Sequence, residues 1–176
     1  MRYAAFMRGL NLGKRNVKME ELKKIFVKLG FTEVESFIAS GNIVFESRSK
    51  SRAAMEKTIE GAIEKTYGWV SETFVRDFDE LAVIGKAMPF KGVVDAPTYL
   101  VGFLKAPIDA AAKKKFLALA SPVDRFAASG AEVWWHSPIS QAESKFNANM
   151  FDKALGVRST WRNLRTIRRM VERWGA

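Results

Sequence analysis

At 176 residues and 48% hydrophobic content, the chain holds enough apolar material for one ordinary domain or two small ones, and too much for a disordered segment. It has no cysteine and a single histidine, His136, which excludes disulfides, thiolate metal sites, cysteine nucleophiles and any catalytic pair of histidines. Its 29 Lys and Arg against 19 Asp and Glu leave a net charge of +10, which favours an anionic partner, nucleic acid or a phosphorylated metabolite, although the same excess also aids solubility.

In chain order, residues 3–10 form a short apolar run predicted as a buried strand that enters a polar loop over 11–16. A helix follows, because Met19, Leu22, Ile25, Phe26 and Leu29 recur at three-to-four-residue spacing, Lys18, Lys23, Lys24 and Lys28 take the other side, and Gly30 stands where a helix stops. Strand-like runs at 34–39 and 43–47 flank Ser40-Gly41-Asn42 as a hairpin turn. Residues 51–67 carry Met55, Ile59, Ala62 and Ile63 on a helical stripe ended by Gly68, and 70–78 alternates as a strand. The order βαββαβ is that of a ferredoxin-like or α-β plait unit.

A short helix at 79–88 and a loop at 89–97 lead to a restart, with a strand at 98–104 and a helix at 108–120. The next nine residues of hairpin text, Phe126 through Ser129-Gly130 to Trp134, align without gaps on Phe37 through Ser40-Gly41 to Phe45, which points to two related units. A helix at 143–155 ends at Gly156, and a last helix is predicted over 160–174. Trp161, Leu164, Ile167, Val171 and Trp174 form its apolar face, and Arg162, Arg165, Arg169 and Arg173 line the other. The expected fold is α+β: two tandem ferredoxin-like (α-β plait) subdomains with antiparallel sheets, plus a C-terminal amphipathic helix. The expected division is 1–78 as βαββαβ, 79–97 as helix and linker, and 98–176 as βαββα with the last helix. No apolar run approaches the ~18 residues of a membrane span, and no signal-peptide pattern opens the chain, so a cytoplasmic protein without a membrane partner is expected.

Four constellations carry chemistry. Arg8, Asn11, Lys14 and Arg15 sit in a glycine-containing loop between a strand and a helix, a place that favours an anion. The loop is not a Walker A motif, since three residues rather than four separate Gly9 from Gly13 and Arg15 follows Lys14 where a Ser or Thr would hold magnesium. Ser40 and Asn42 offer a hydroxyl and an amide at a tight turn, but these are also ordinary turn residues, and a Ser40 nucleophile served by His136 lacks an evident carboxylate to orient the base. Lys145 stands at the start of a helix with Asn147 and Asn149. The arginine face of the last helix can follow a phosphate backbone, and Tyr3, Phe45, Trp134 and Trp135 are strand aromatics of the type that stacks bases in RNA-reading plaits.

The chain resembles the bacterial family known as domain of unknown function 1697. The matching text is residues 3–13 through Arg8-Gly9-Leu10-Asn11-Leu12-Gly13, Met19 with Leu22, Leu29-Gly30-Phe31, Ser40-Gly41-Asn42-Ile43-Val44-Phe45, Ser144-Lys145, and Thr160 with Arg162-Asn163 and Arg165-Thr166. The resemblance implies two plait-like subdomains and names no reaction. This chain departs from the family's pattern at Trp161, where threonine is common, at Leu164, where tryptophan is usual, and in a shortened loop at Lys14-Arg15. The family's motifs coincide with the polar turns and the arginine helix, so the candidate ligand site is Arg8, Asn11, Lys14, Ser40, Asn42, Lys145, Arg162 and Asn163, expected to meet in a cleft between the two units. Arg165 and Arg169 are the candidate nucleic-acid contacts. No catalytic residue, metal or cofactor is assigned. The first functional expectation is a metal-free binder of a phosphate-bearing ligand, with nucleic acid ranked first. An enzyme acting on a small phosphorylated or nucleotide substrate and a protein-interaction scaffold are the alternatives.

Overall fold

The computed structural model describes residues 1–38, 41–93 and 95–175, and the chain divides into two compact units, 1–81 with Gly175 and 82–174. The first unit runs β1 (Arg2–Met7), α1 (Met19–Lys28), β2 (Thr32–Ser36), β3 (Asn42–Glu46), α2 (Arg52–Tyr67) and β4 (Thr73–Asp77); α3 (Phe78–Lys86) spans the division. The second runs β5 (Thr98–Phe103), α4 (Ala110–Leu117), β6 (Arg125–Ser129), β7 (Glu132–Ser137), α5 (Ala148–Leu155), β8 (Thr160–Asn163) and α6 (Leu164–Trp174). Each unit has a four-stranded antiparallel sheet, ordered β2-β3-β1-β4 in the first and β6-β7-β5-β8 in the second. The fold is α+β, with helices interspersed among the strands of two antiparallel sheets.

Local chemistry explains most element ends. Ser51 caps α2 by accepting from the Ala54 N–H, and Gly68 ends that helix in the left-handed region that favours glycine. Strand β4 is an edge, yet its backbone is not left open: Glu60 and Glu56 of α2 accept from the N–H groups of Thr73 (2.8 Å) and Val75 (2.9 Å). Two carboxylates thereby occupy donors that would otherwise invite another strand.

One core lies on the helix side of each sheet. In the first unit Tyr3, Ala5, Met7, Ile43, Phe45 and Val75 meet Leu22 and Phe26 of α1 and Met55, Ile59 and Ile63 of α2. In the second, Leu100, Val133 and Trp135 meet Phe116 of α4 and Phe151 and Leu155 of α5, with Trp161 packed against them. Trp135 is fully buried and donates from Nε1 to the Asp124 carboxylate at 3.0 Å. Burial pushes the Asp124 carboxyl up, but hydrogen bonds from Trp135, Ser121 and Ser137 outweigh it and hold the group below its ordinary range.

Two expectations are corrected. Residues 160–163 are not the first turn of the last helix but strand β8, which pairs antiparallel with β5 from Leu100↔Asn163 to Phe103↔Thr160, so the second unit is βαββαβ before its final helix. The three-residue step from Trp161 to Leu164 reads as helical, whereas the physical boundary is Asn163, whose Oδ1 accepts from the Arg165 N–H at 2.8 Å and starts α6. The first unit makes the same joint: Asp77 Oδ1 accepts from the Glu80 N–H, and Glu80 accepts in return from the Asp77 N–H, a capping box that opens α3. Arg76 faces Ala4 as Arg162 faces Val101, so an arginine, fully buried in the first unit and half-buried in the second, precedes the cap in both units.

The second correction is a register. The gapless text alignment sets Phe45 against Trp134, but strand pairing sets Phe45 with Trp135 and Val44 with Trp134: Ala4↔Val44 in the first sheet corresponds to Val101↔Trp134 in the second. A one-residue shift in a strand exchanges its two faces, so the counterpart of Phe45 in the helix-side core is Trp135 and not Trp134. Helices α4 and α5 are also shorter than predicted, with Asp109 and Asn147 as their caps.

Candidate functional site

The loop after β1 is held by its own side chains. Asn11 is exposed but its Oδ1 accepts from the Val17 N–H at 2.8 Å, closing the loop ahead of α1. Arg8 is half-buried, with its N–H donating to Glu72 O and its carbonyl accepting from the Ser71 hydroxyl, which ties the loop to the segment before β4. Lys14 is exposed. The Arg15 guanidinium lies 4.2 Å above the Trp69 ring and donates to Gly9 O, so a cation–π contact orders the basic end of the loop. Trp69, stacked on Tyr67, was not singled out in the sequence because it lies more than fifty residues away from the loop it supports.

Asn42 opens β3 rather than sitting in the turn; it is fully buried and its amide donates to Phe37 O at 3.0 Å, bracing the hairpin from inside. Ser40 lies outside the described residues. Gly41 has a positive φ of 74°, and an added Cβ would stand 2.9 Å from Leu10 Cδ1 and 3.3 Å from Met7 O, so only glycine lets this hairpin lie against the end of β1.

In the second unit Lys145 is exposed, three residues before α5 rather than in it, with its ammonium 5.3 Å from the Phe146 ring centre. Arg162 is not on the arginine face of the last helix: it lies on β8, where its Nη1 donates to Thr160 Oγ1 (3.0 Å) and Trp161 O (2.8 Å). Part of its surface remains exposed, but burial pushes its pKa down to about 10, which leaves it charged at neutral pH. Asn163 is exposed and serves as the α6 cap.

Helix α6 is strongly two-sided. Leu164, Ile167, Met170 and Trp174 are buried, and Arg165, Arg169 and Arg173 are exposed at four-residue steps. Met170, not Val171, completes the buried stripe. Arg168 packs beside Gly85 and donates from Nε to its carbonyl at 2.9 Å, so it braces α3 rather than joining the outer row. Arg165 forms an ion pair with Asp95, and this hydrogen bond is the main cause that holds the Asp95 carboxyl below its ordinary range. Beside the pair lies a groove of about 410 Å³ lined by Asp95, Ala96, Pro97, Asn163 and Arg165. A second cavity, about 620 Å³ in the first unit and lined by Phe31, Glu46, Arg48, Met55 and Thr58 among others, contains no predicted site residue.

Two of the sequence-based cues are narrowed. Tyr3, Phe45, Trp134 and Trp135 are all buried, so they offer no exposed ring for a base to stack on. His136 is buried on β7 beside Tyr99 and Phe90, away from any orienting carboxylate bond. Burial, helped by Arg125 and opposed by Asp124, holds its pKa below the ordinary value. The unfolded chain therefore takes up that proton first as pH falls, and stability contributed by the neutral imidazole is present above about pH 6.5 and lost below it. Wild-type protein should thus lose more melting temperature between about pH 7.5 and pH 5.5 than a His136→Gln variant; equal losses in thermal scans would remove His136 from the pH response. Among the described residues no cluster of His, Asp and Glu has the makeup of a metal site, and no helix is long and apolar enough to cross a membrane.

No curated protein matches the chain. Among solved structures, the conserved bacterial protein SP0830 from Streptococcus pneumoniae superposes with a TM-score of 0.75 at 23% identity, over 97% of this chain and 98% of that one, a likeness that concerns the fold alone. The family model for a protein of unknown function, DUF1697, matches residues 1–134, which take in the loop after β1, the first hairpin, and the second hairpin as far as the first half of β7. On that match the chain belongs to the DUF1697 family.

Proposed function

We propose that the protein binds nucleic acid through the outer face of α6, as a cytoplasmic, metal-free binder of phosphate-bearing polymers. The observation that carries this reading is the row of exposed Arg165, Arg169 and Arg173 on a helix whose opposite side is locked into the protein by Leu164, Ile167, Met170 and Trp174. Guanidinium groups on a rigid helix, about 6 Å apart at four-residue steps, can each meet a phosphate without ordering the backbone at the moment of binding. Net charge of +10 supplies the long-range attraction. Arg8 and Lys14 of the first unit and Lys145 of the second are proposed as further phosphate contacts of their own units, with Asn163 reserved for the cap. In the same reading each unit is a ferredoxin-like plait: both share the element order βαββαβ and equivalent strand orders, with the first strand central and the last at an edge.

The ion pair with Asp95 gives a direct test, because that carboxylate competes with phosphate for Arg165. An Asp95→Asn variant should bind single-stranded RNA several-fold more tightly at low salt with the slope of log K against log salt little changed, because phosphate already displaces Asp95 from Arg165 in the wild-type complex and the variant no longer has that competition to overcome. Unchanged affinity would take Arg165 out of the interface.

A further inference from the structure

Three polar atoms of the second unit are buried without a hydrogen-bond partner among the described residues: the Tyr99 hydroxyl, Trp134 Nε1 and His136 Nδ1. Their residues are 1%, 5% and 9% exposed. An unmet buried donor or acceptor costs about 1–3 kcal/mol, and folded proteins leave few of them, so three on neighbouring positions call for a partner that the described residues do not supply.

The sheet register places them together. Tyr99 and His136 are direct cross-strand partners on β5 and β7, and Trp134 lies two residues along β7 on the same face, opposite Val101. This is the face turned away from the core formed with α4 and α5, since Leu100, Val133 and Trp135 occupy that other side. Phe90 covers the end of the row, with its ring centre 5.7 Å from Tyr99 and 5.5 Å from His136.

The chemistry of the face selects the class of partner. Trp134 Nε1–H can only donate, and so can the guanidinium of Arg162, which shares the row across the sheet through Val101. Arg125 stands opposite His136 on β6, and burial pushes the Tyr99 hydroxyl pKa up, with the charge of Arg168 on α6 offsetting part of that rise. Against three guanidinium groups, the carboxylate on this face of β7 is Glu132, one pair further along, opposite Phe103. Donors and positive charge thus outnumber acceptors around three unmet polar atoms.

We propose that this face of the second sheet is a binding site for a small free oxyanion of phosphate type, received by Trp134 Nε1–H, the Tyr99 hydroxyl and His136 Nδ1, with Arg162 supplying charge. It does not rest on the nucleic-acid reading: the outer arginines Arg165, Arg169 and Arg173 take no part in it. Burial of the receiving groups suits a small ion that sheds its water and excludes a polymer backbone.

The test follows the indole N–H resonance of Trp134, assigned by its loss in Trp134→Phe, while inorganic phosphate replaces chloride at constant ionic strength. A saturable shift in the wild type, weakened tenfold or more in Tyr99→Phe and unchanged in the Arg165→Ala, Arg169→Ala double variant, is expected. A single-stranded RNA added in place of phosphate should leave this resonance where it is. In thermal scans, phosphate should raise the melting temperature of the wild type more than that of Trp134→Phe. No saturable shift up to tens of millimolar phosphate, equal affinity in Tyr99→Phe, or a crystal structure grown in phosphate showing only water at these atoms would each overturn the proposal. Loss of RNA binding with phosphate binding retained would sink only the α6 interface, and the reverse result only this site.

Discussion

Replacing Gly102 with alanine is expected to destabilise the protein by about 1–3 kcal/mol, a fall in melting temperature of about 2–4 °C per kcal/mol for a chain of this size. Gly102 lies in the middle of β5, paired with Val133 on one side and Trp161 on the other. An added Cβ would stand 2.7 Å from Val133 Cγ2 and 2.8 Å from Trp161 Cε2, closer than carbon atoms approach. The φ of this glycine is not in the left-handed region, so the requirement is space and not backbone freedom. The indole of Trp161 fills that space and reaches Phe151 with ring centres 4.6 Å apart. The cost of Gly102→Ala should therefore shrink in a Trp161→Thr background, because the larger of the two neighbours is gone. Equal costs in both backgrounds, measured by denaturant unfolding, would show that the indole does not define the space above Gly102.

Exchange of Arg165 and Arg169 for alanine is expected to lower affinity for nucleic acid at low salt and to flatten its salt dependence by about 1.4 on single strands and about 1.8 on duplex DNA, two phosphate contacts in each case. The change should leave stability within about 0.5 kcal/mol of wild type, since both side chains are exposed and the buried stripe of α6 is untouched. Loss of the Arg165 ion pair with Asp95 adds little, because exposed pairs of this kind contribute about 0–1 kcal/mol. A smaller flattening, near one contact, would mean that Asp95 keeps Arg165 from phosphate in the wild type.

An apolar stripe of helical period made α1 and α2 legible, and short runs buried on both faces did the same for β1, β3 and β5. Periodicity failed at β8, a strand of four residues joined directly to a helix, where the three-residue step from Trp161 to Leu164 across the joint matches the helical period. That error also put Arg162 among the helix arginines, when strand alternation turns it to the face of Trp134. The exposed row of Arg165, Arg169 and Arg173 was readable because only helical spacing was needed. Asn42 and Asn11 looked like ligand groups because short polar residues in loops bind ligands and brace turns with the same atoms; only their partners, Phe37 O and the Val17 N–H, separate the two uses. The unmet atoms of Tyr99, Trp134 and His136 depend on register across two strands, which no single segment of sequence contains.

Fluorescence anisotropy of labelled single-stranded RNA, single-stranded DNA and duplex DNA, titrated with the purified protein across a range of salt, tests the central claim most directly. Micromolar or tighter binding that weakens steeply with salt, with a shallower slope in the Arg165→Ala, Arg169→Ala variant, is the predicted result. Absence of binding to all three at low salt, or a slope identical in the variant, would contradict the assignment of α6 as the nucleic-acid surface.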